Sequence, residues 1–142
     1  MKPCYELLDH TADLAVRFYG ESLPELFEVA GITLFSLIGN IEKASPLNEY
    51  HFEIEGADLE DLMINWMREL LYKFNGEDIF LSKFRVLILG EKELEAKAWG
   101  EPVDYDRHEI KMEIKAVTYH GIKVEKDSSK GRLWMAEVVF DV

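Results

Sequence analysis

Residues 133–140 read LWMAEVVF, apolar at every position but Glu137. A strand of that composition has no polar face to turn to water, so it belongs at the centre of a sheet, buried. The sequence places it last. It emerges at Asp141-Val142, which leaves the Asp141 side chain and the terminal carboxylate together at its tip. The rest of the fold has to be arranged around this strand.

Two helices supply the cover. Ser22-Leu23-Pro24-Glu25 has the form of a helix start, with serine as cap, glutamate three residues on and proline in the first turn. Leu26, Phe27, Ala30, Leu34, Phe35, Leu37 and Ile38 then recur at helical spacing until Gly39-Asn40. From Asp58 a second helix carries Leu59, Leu62, Met63, Trp66, Met67, Leu70, Leu71 and Phe74, a wide apolar stripe closed by Gly76. Such a stripe is a core face in most proteins, and the Met and Trp in it need no cofactor to explain them.

The other segments read as strands. Leu14–Tyr19 is the first. In 50–54, Tyr50, Phe52 and Ile54 alternate with His51 and Glu53. Residues 79–89 and 93–99 form a hairpin across Gly90-Glu91-Lys92, and 115–126 pairs with 132–142 across a polar turn at 127–131. The pattern predicts one α+β domain over 1–142, two main helices packed on a mixed, mostly antiparallel sheet.

At 142 residues and 48% hydrophobic, the chain can bury a sizeable core. Its formal charge of −12 disfavours direct binding of nucleic acid or of anionic membranes, and suits bound cations or a basic partner. Cys4 is the single cysteine, which excludes an internal disulfide and a CxxC zinc site and fits a reducing cytoplasm. No secretory leader is visible at the start, and the apolar run from Phe84 to Leu89 is too short for a bilayer span. The absence of glutamine beside abundant Glu and Lys leans towards a thermophilic source.

Four polar sets compete as the site. The first is Asp9, His10 and Asp13, ahead of the first strand. The second is Asp141 with the carboxylate of Val142. The third is Glu101 with Asp104, Asp106 and His108, and the fourth is Lys115 with Thr118, Tyr119 and His120. If the first and last strands are neighbours, Asp13 joins the two carboxyls of the chain end. Three carboxylates at close quarters repel unless a cation lies between them, and a hard divalent ion such as Mg²⁺ or Ca²⁺ takes such oxygen ligands. Aspartates before strands equally suit Asx turns. Residues 104–111 read as a solvated, mixed-charge face, and Glu101 and His108 as an acid/base pair on paper only. No nucleophile elbow, metalloprotease, phosphate-loop or dinucleotide motif is present.

Three motifs together resemble the archease family: Asp9-His10-Thr11-Ala12-Asp13, the segment Ile114-Lys115-Ala116-Val117-Thr118-Tyr119-His120, and the ending Val138-Val139-Phe140-Asp141-Val142. The order of elements agrees over essentially the whole length. The resemblance implies an accessory protein that activates an RtcB-type tRNA-splicing RNA ligase by promoting its guanylylation and multiple turnover, and that broadens its nucleotide use. It implies a divalent ion (Ca²⁺, or Mg²⁺/Mn²⁺) held by Asp13, Asp141 and Val142. Lys115 becomes the functionally sensitive lysine, with His10 and His120 as supporting residues, and RNA is met only through the ligase. The alternatives from the residues alone are a metal-dependent hydrolase, with Glu101 or His120 as base, and a chaperone-like binding module.

Overall fold

The computed structural model describes residues 5–8, 13–127, 129 and 133–142. Its strands are β1 (Tyr5–Leu8), β2 (Leu14–Gly20), β3 (Asn48–Glu55), β4 (Ile79–Leu89), β5 (Glu93–Pro102), β6 (Ala116–Asp127) and β7 (Leu133–Asp141). Two helices, α1 (Leu23–Ile38) and α2 (Leu59–Asn75), and a short 3-10 turn at Ile41–Lys43 complete the described chain.

The strands form two sheets, ordered β1-β2-β7-β6 and β3-β5-β4, and every pairing in both is antiparallel. The expected helices on mostly antiparallel strands are therefore present, with the strands divided between two sheets. Both helices touch both sheets, so one core serves the described residues.

Each helix starts where its sequence sets the cap. Ser22 Oγ accepts the Glu25 N–H (3.2 Å), and Glu25 reaches back to the Glu21 N–H (3.0 Å). Asp58 caps α2 through the Asp61 N–H (2.8 Å). Between the helices Trp66 is fully buried, and its indole N–H donates to the Phe27 carbonyl at 2.9 Å, so the one polar atom of the largest core side chain is satisfied.

The apolar final strand lies where its composition requires, between β2 and β6. Ala136, Val138 and Phe140 face the helices; Met135 and Val139 are buried on the other side. Along that other side Arg17 pairs with Glu137, flanked by Glu6 and Lys123. Among the described residues no helix is long and apolar enough to cross a membrane.

Two elements were not legible in the sequence. β1 has only four residues and no turn motif that marks it, and the 3-10 turn rests on an Asn40 side chain that accepts the Glu42 N–H. The apolar run at 84–89 turns out to be an edge strand, with Leu87 and Ile88 exposed.

Candidate functional site

The site is assembled by strand pairing. Leu14 stands opposite Phe140 on one side of β7, and Ala116 stands opposite Asp141 on the other. Asp13 directly precedes Leu14, and Asp141 directly follows Phe140, so each adjoins the last pair of the β2–β7 ladder. Positions opposite one another in an antiparallel pair are about 4.5–5.5 Å apart at Cα. On the β6 side the Lys115 N–H donates to the Asp141 carbonyl at 2.7 Å. Residues 13, 115 and 141, distant in the sequence, thus meet at one end of one sheet.

The electrostatics of this end differ from those of the sheet behind it. Asp141 and Val142 are exposed and Asp13 is half-buried. Among the described residues, none of Asp13, Asp141, Val142 and Lys115 has an ion-pair partner. Carboxylates alone are an oxygen-only donor set, the kind a hard divalent ion takes. Among the described residues, no three His, Cys, Asp or Glu side chains are grouped as a metal site.

Lys115 is exposed and also lines a cleft of about 630 Å³ with Asn75, Asp78, Tyr105, Met112 and Glu113. The Asn75 amide donates to the Ile114 carbonyl at 2.9 Å and so ties the approach to Lys115 to the end of α2. Lys115 is thus bonded to the acidic end through its backbone while its side chain borders a separate hollow.

The Thr118-Tyr119-His120 segment anchors β6. Thr118 Oγ1 donates to the Val139 carbonyl (3.1 Å), and the Tyr119 hydroxyl donates to Asp61 at the start of α2. Arg68 lies over the Tyr119 ring at 4.7 Å, and its Nε donates to the Val117 carbonyl. The Tyr119 bond holds the Asp61 carboxyl below its ordinary range and, reciprocally, raises the Tyr119 phenol. Pairing with β7 then breaks between Thr118 and Lys123, where residues 119–122 bulge opposite Val138 alone. Gly121 takes the left-handed turn this needs, at φ 68°. His120 is exposed on the bulge. His10 lies outside the described residues.

The third polar set corrects the sequence reading. Residues 104–107, 109 and 111 are exposed as the solvated-face reading of 104–111 expects, but His108 is fully buried and stacked on Phe80 at 4.7 Å, and Glu101 is 7% exposed. Glu101 Oε2 accepts from Ser45 N–H (2.7 Å), Arg107 (2.8 Å) and His108 Nε2 (2.9 Å). His108 Nδ1 accepts the Asp104 N–H (2.9 Å), which leaves the ring proton on Nε2, directed at the carboxylate. The Arg107 bond, helped by His108 and Ser45, holds the Glu101 carboxyl down at about 2. The reason is local: the Asp104 side chain caps the Asp106 and Arg107 N–H groups and curls the loop until His108 faces inward. With three donors on Glu101 Oε2, the cluster clamps the loop to the sheet.

Fold and site together define a small α+β protein with an exposed acidic end on one sheet and a buried, fully bonded Glu101–His108 cluster elsewhere. The comparisons with known proteins agree over the whole chain. The family model described as "Archease protein family (MTH1598/TM1083)" matches residues 5–142. "Protein archease" of Pyrococcus abyssi is 43% identical, covering 97% of this chain and 98% of the relative. That of Sulfurisphaera tokodaii is 39% identical at the same coverage. The solution structure of Methanobacterium thermoautotrophicum protein 1598 superposes with a TM-score of 0.83 at 32% identity, covering all of both chains. The chain belongs to the archease family.

Proposed function

We propose that this protein activates an RtcB-type tRNA-splicing RNA ligase by promoting its guanylylation, so that the ligase turns over repeatedly and accepts a wider range of nucleotides. The protein is an accessory factor and not itself an enzyme. It works in the cytoplasm and meets RNA only through the ligase. Family membership supports this reading, and one observation carries it: β7 lies between β2 and β6, so the start of β2 at Leu14 and the segment before β6 flank the end of β7, where the Lys115 N–H bonds the Asp141 carbonyl.

Asp13, Asp141 and the Val142 carboxylate are the groups that would hold a divalent ion there, Ca²⁺ or Mg²⁺/Mn²⁺. The ion would supply positive charge for phosphate or carboxylate oxygens of the partner. Lys115, beside it, offers a mobile ammonium for a phosphate or carboxylate contact. His120 and His10 are assigned supporting roles. An exposed acidic end without internal partners is suited to approach a basic, metal-containing cleft, because no internal ion pair has to be broken for it to do so.

The test is multiple-turnover RNA ligation by the cognate ligase with GTP and metal, with this protein added at substoichiometric amounts. Wild type is expected to stimulate, and Asp141→Ala, folded to the same extent, to lose the stimulation. Stimulation by both would keep the partner and discard the site. Stimulation by neither would discard the activator reading and return the hydrolase and chaperone alternatives.

A further inference from the structure

The second sheet carries an exposed surface of its own. Before residue 87 the β4–β5 register pairs Arg85 with Lys97 and Val86 with Ala96; after it, Ile88 pairs with Glu95 and Leu89 with Leu94. Leu87 is thus an extra residue. Had the register run on unbroken, Leu87 would face Glu95 and Ile88 would stand opposite Leu94, on the core side. With the extra residue, Leu89 takes that place and Ile88 shares the outer face with Glu95, because one inserted residue reverses the faces of all that follow. Ile88 is 55% exposed and Leu87 43%. An apolar pair turned outwards by a bulge marks a surface built for contact more than a strand end left unfinished.

Carboxylates lie on one side of it, towards β3, while Arg85 and Lys97 stand on the same outer face further along β4 and β5. Glu53 stands directly opposite Glu95, and Glu55 directly opposite Glu93. Like charges at facing positions destabilise a sheet. Glu95 is bonded to His51 at 3.0 Å, whereas Glu53, Glu55 and Glu93 have no ion-pair partner among the described residues. Together with Ile54, Ile88 and Leu94 these four glutamates line a hollow of about 560 Å³. They are not grouped as a metal site. A broader cationic body is the fitting complement: positive groups placed beside an apolar one.

We propose that the Leu87–Ile88 corner and the glutamates beside it form a docking surface for a basic protein segment that seats an apolar side chain against Ile88. This surface lies on the other sheet from Asp13 and Asp141, so its occupancy is independent of the acidic end. The carboxylates would draw the segment in and fix its orientation, and the apolar contact would discriminate it from other cations.

Fluorescence anisotropy with two short labelled peptides tests this, one alternating lysine with leucine, the other lysine with serine. The lysine–leucine peptide is expected to bind about tenfold more tightly, the worth of one buried apolar contact. Ile88→Ser, at an exposed position that leaves the fold intact by circular dichroism, should abolish that preference. Glu53→Gln with Glu93→Gln should weaken both peptides, and Asp141→Ala should change neither. No binding, equal binding of the two peptides, or a preference that survives Ile88→Ser overturns the proposal. Self-association in sedimentation that Ile88→Ser abolishes also overturns it, and gives the face to a second copy of the chain.

Discussion

The Glu101–His108 cluster and the Asp13–Asp141 sheet end have similar ingredients and opposite character. In the first, one carboxylate is buried and bonded by a backbone N–H, a guanidinium and an imidazole; in the second, the carboxylates are more open and have no cation among the described residues. A buried polar group has to be satisfied within the fold or it costs several kcal/mol, so its partners are fixed by folding. An open one is solvated at little cost and stays available to something outside. The comparison separates a carboxylate that maintains the structure from carboxylates that can act on a partner.

Mutation at Glu101 breaks that comparison most strongly. Glu101→Ala leaves Arg107, His108 and the Ser45 N–H without their acceptor, and is expected to destabilise the fold by about 2–3 kcal/mol in chemical denaturation. Ligase stimulation per folded molecule should be retained. Acid sharpens the same contrast. Because the folded Glu101 carboxyl, at about 2, lies below its ordinary 4.5, its stabilisation is complete above about pH 4.5 and is lost as pH falls towards 2. Denaturation midpoints followed from pH 5 to pH 2.5 should fall less steeply in Glu101→Gln than in wild type.

Tyr119→Phe removes the hydroxyl that joins the bulge to Asp61. Its expected effect is smaller, a fall in Tm of roughly 2–3 °C by scanning calorimetry. Smallest of all should be Asp141→Asn, whose Tm in chelator is expected within about 1 °C of wild type. Added Ca²⁺ or Mn²⁺ should raise the Tm of the wild type and not of this variant, since only a group that binds in the folded state couples ligand to stability. A metal-dependent rise of equal size in both would remove Asp141 from the proposed donor set.

Much of the fold was legible because it rests on local rules. The caps at Ser22 and Asp58 and the helical stripes gave both helices nearly to their ends, and 79–89 was read to the residue. What escaped depended on neighbours. The strand at Tyr5–Leu8 exists because β2 offers it an edge. His108 was read into the polar surface of 104–111 because no spacing rule shows that an Asx turn at Asp104 will fold it onto Phe80. The bulges at Leu87 and at 119–122 are register events, invisible until a partner strand supplies the count.

By itself, then, the sequence determined the kinds of segment and the residues with chemistry to offer, since propensity, periodicity and side-chain type belong to the chain before it folds. It also determined that 133–140 would be central, because a strand without a polar face has no stable place at a surface. Only the tertiary structure decided which polar groups meet. Pairing β7 between β2 and β6 brings Lys115 to Asp141 and Leu14 to Phe140, and curling the loop over Phe80 encloses Glu101. The physical reason is that a carboxylate's role follows from its solvation and its partners, and both are set by contacts between residues far apart in the chain.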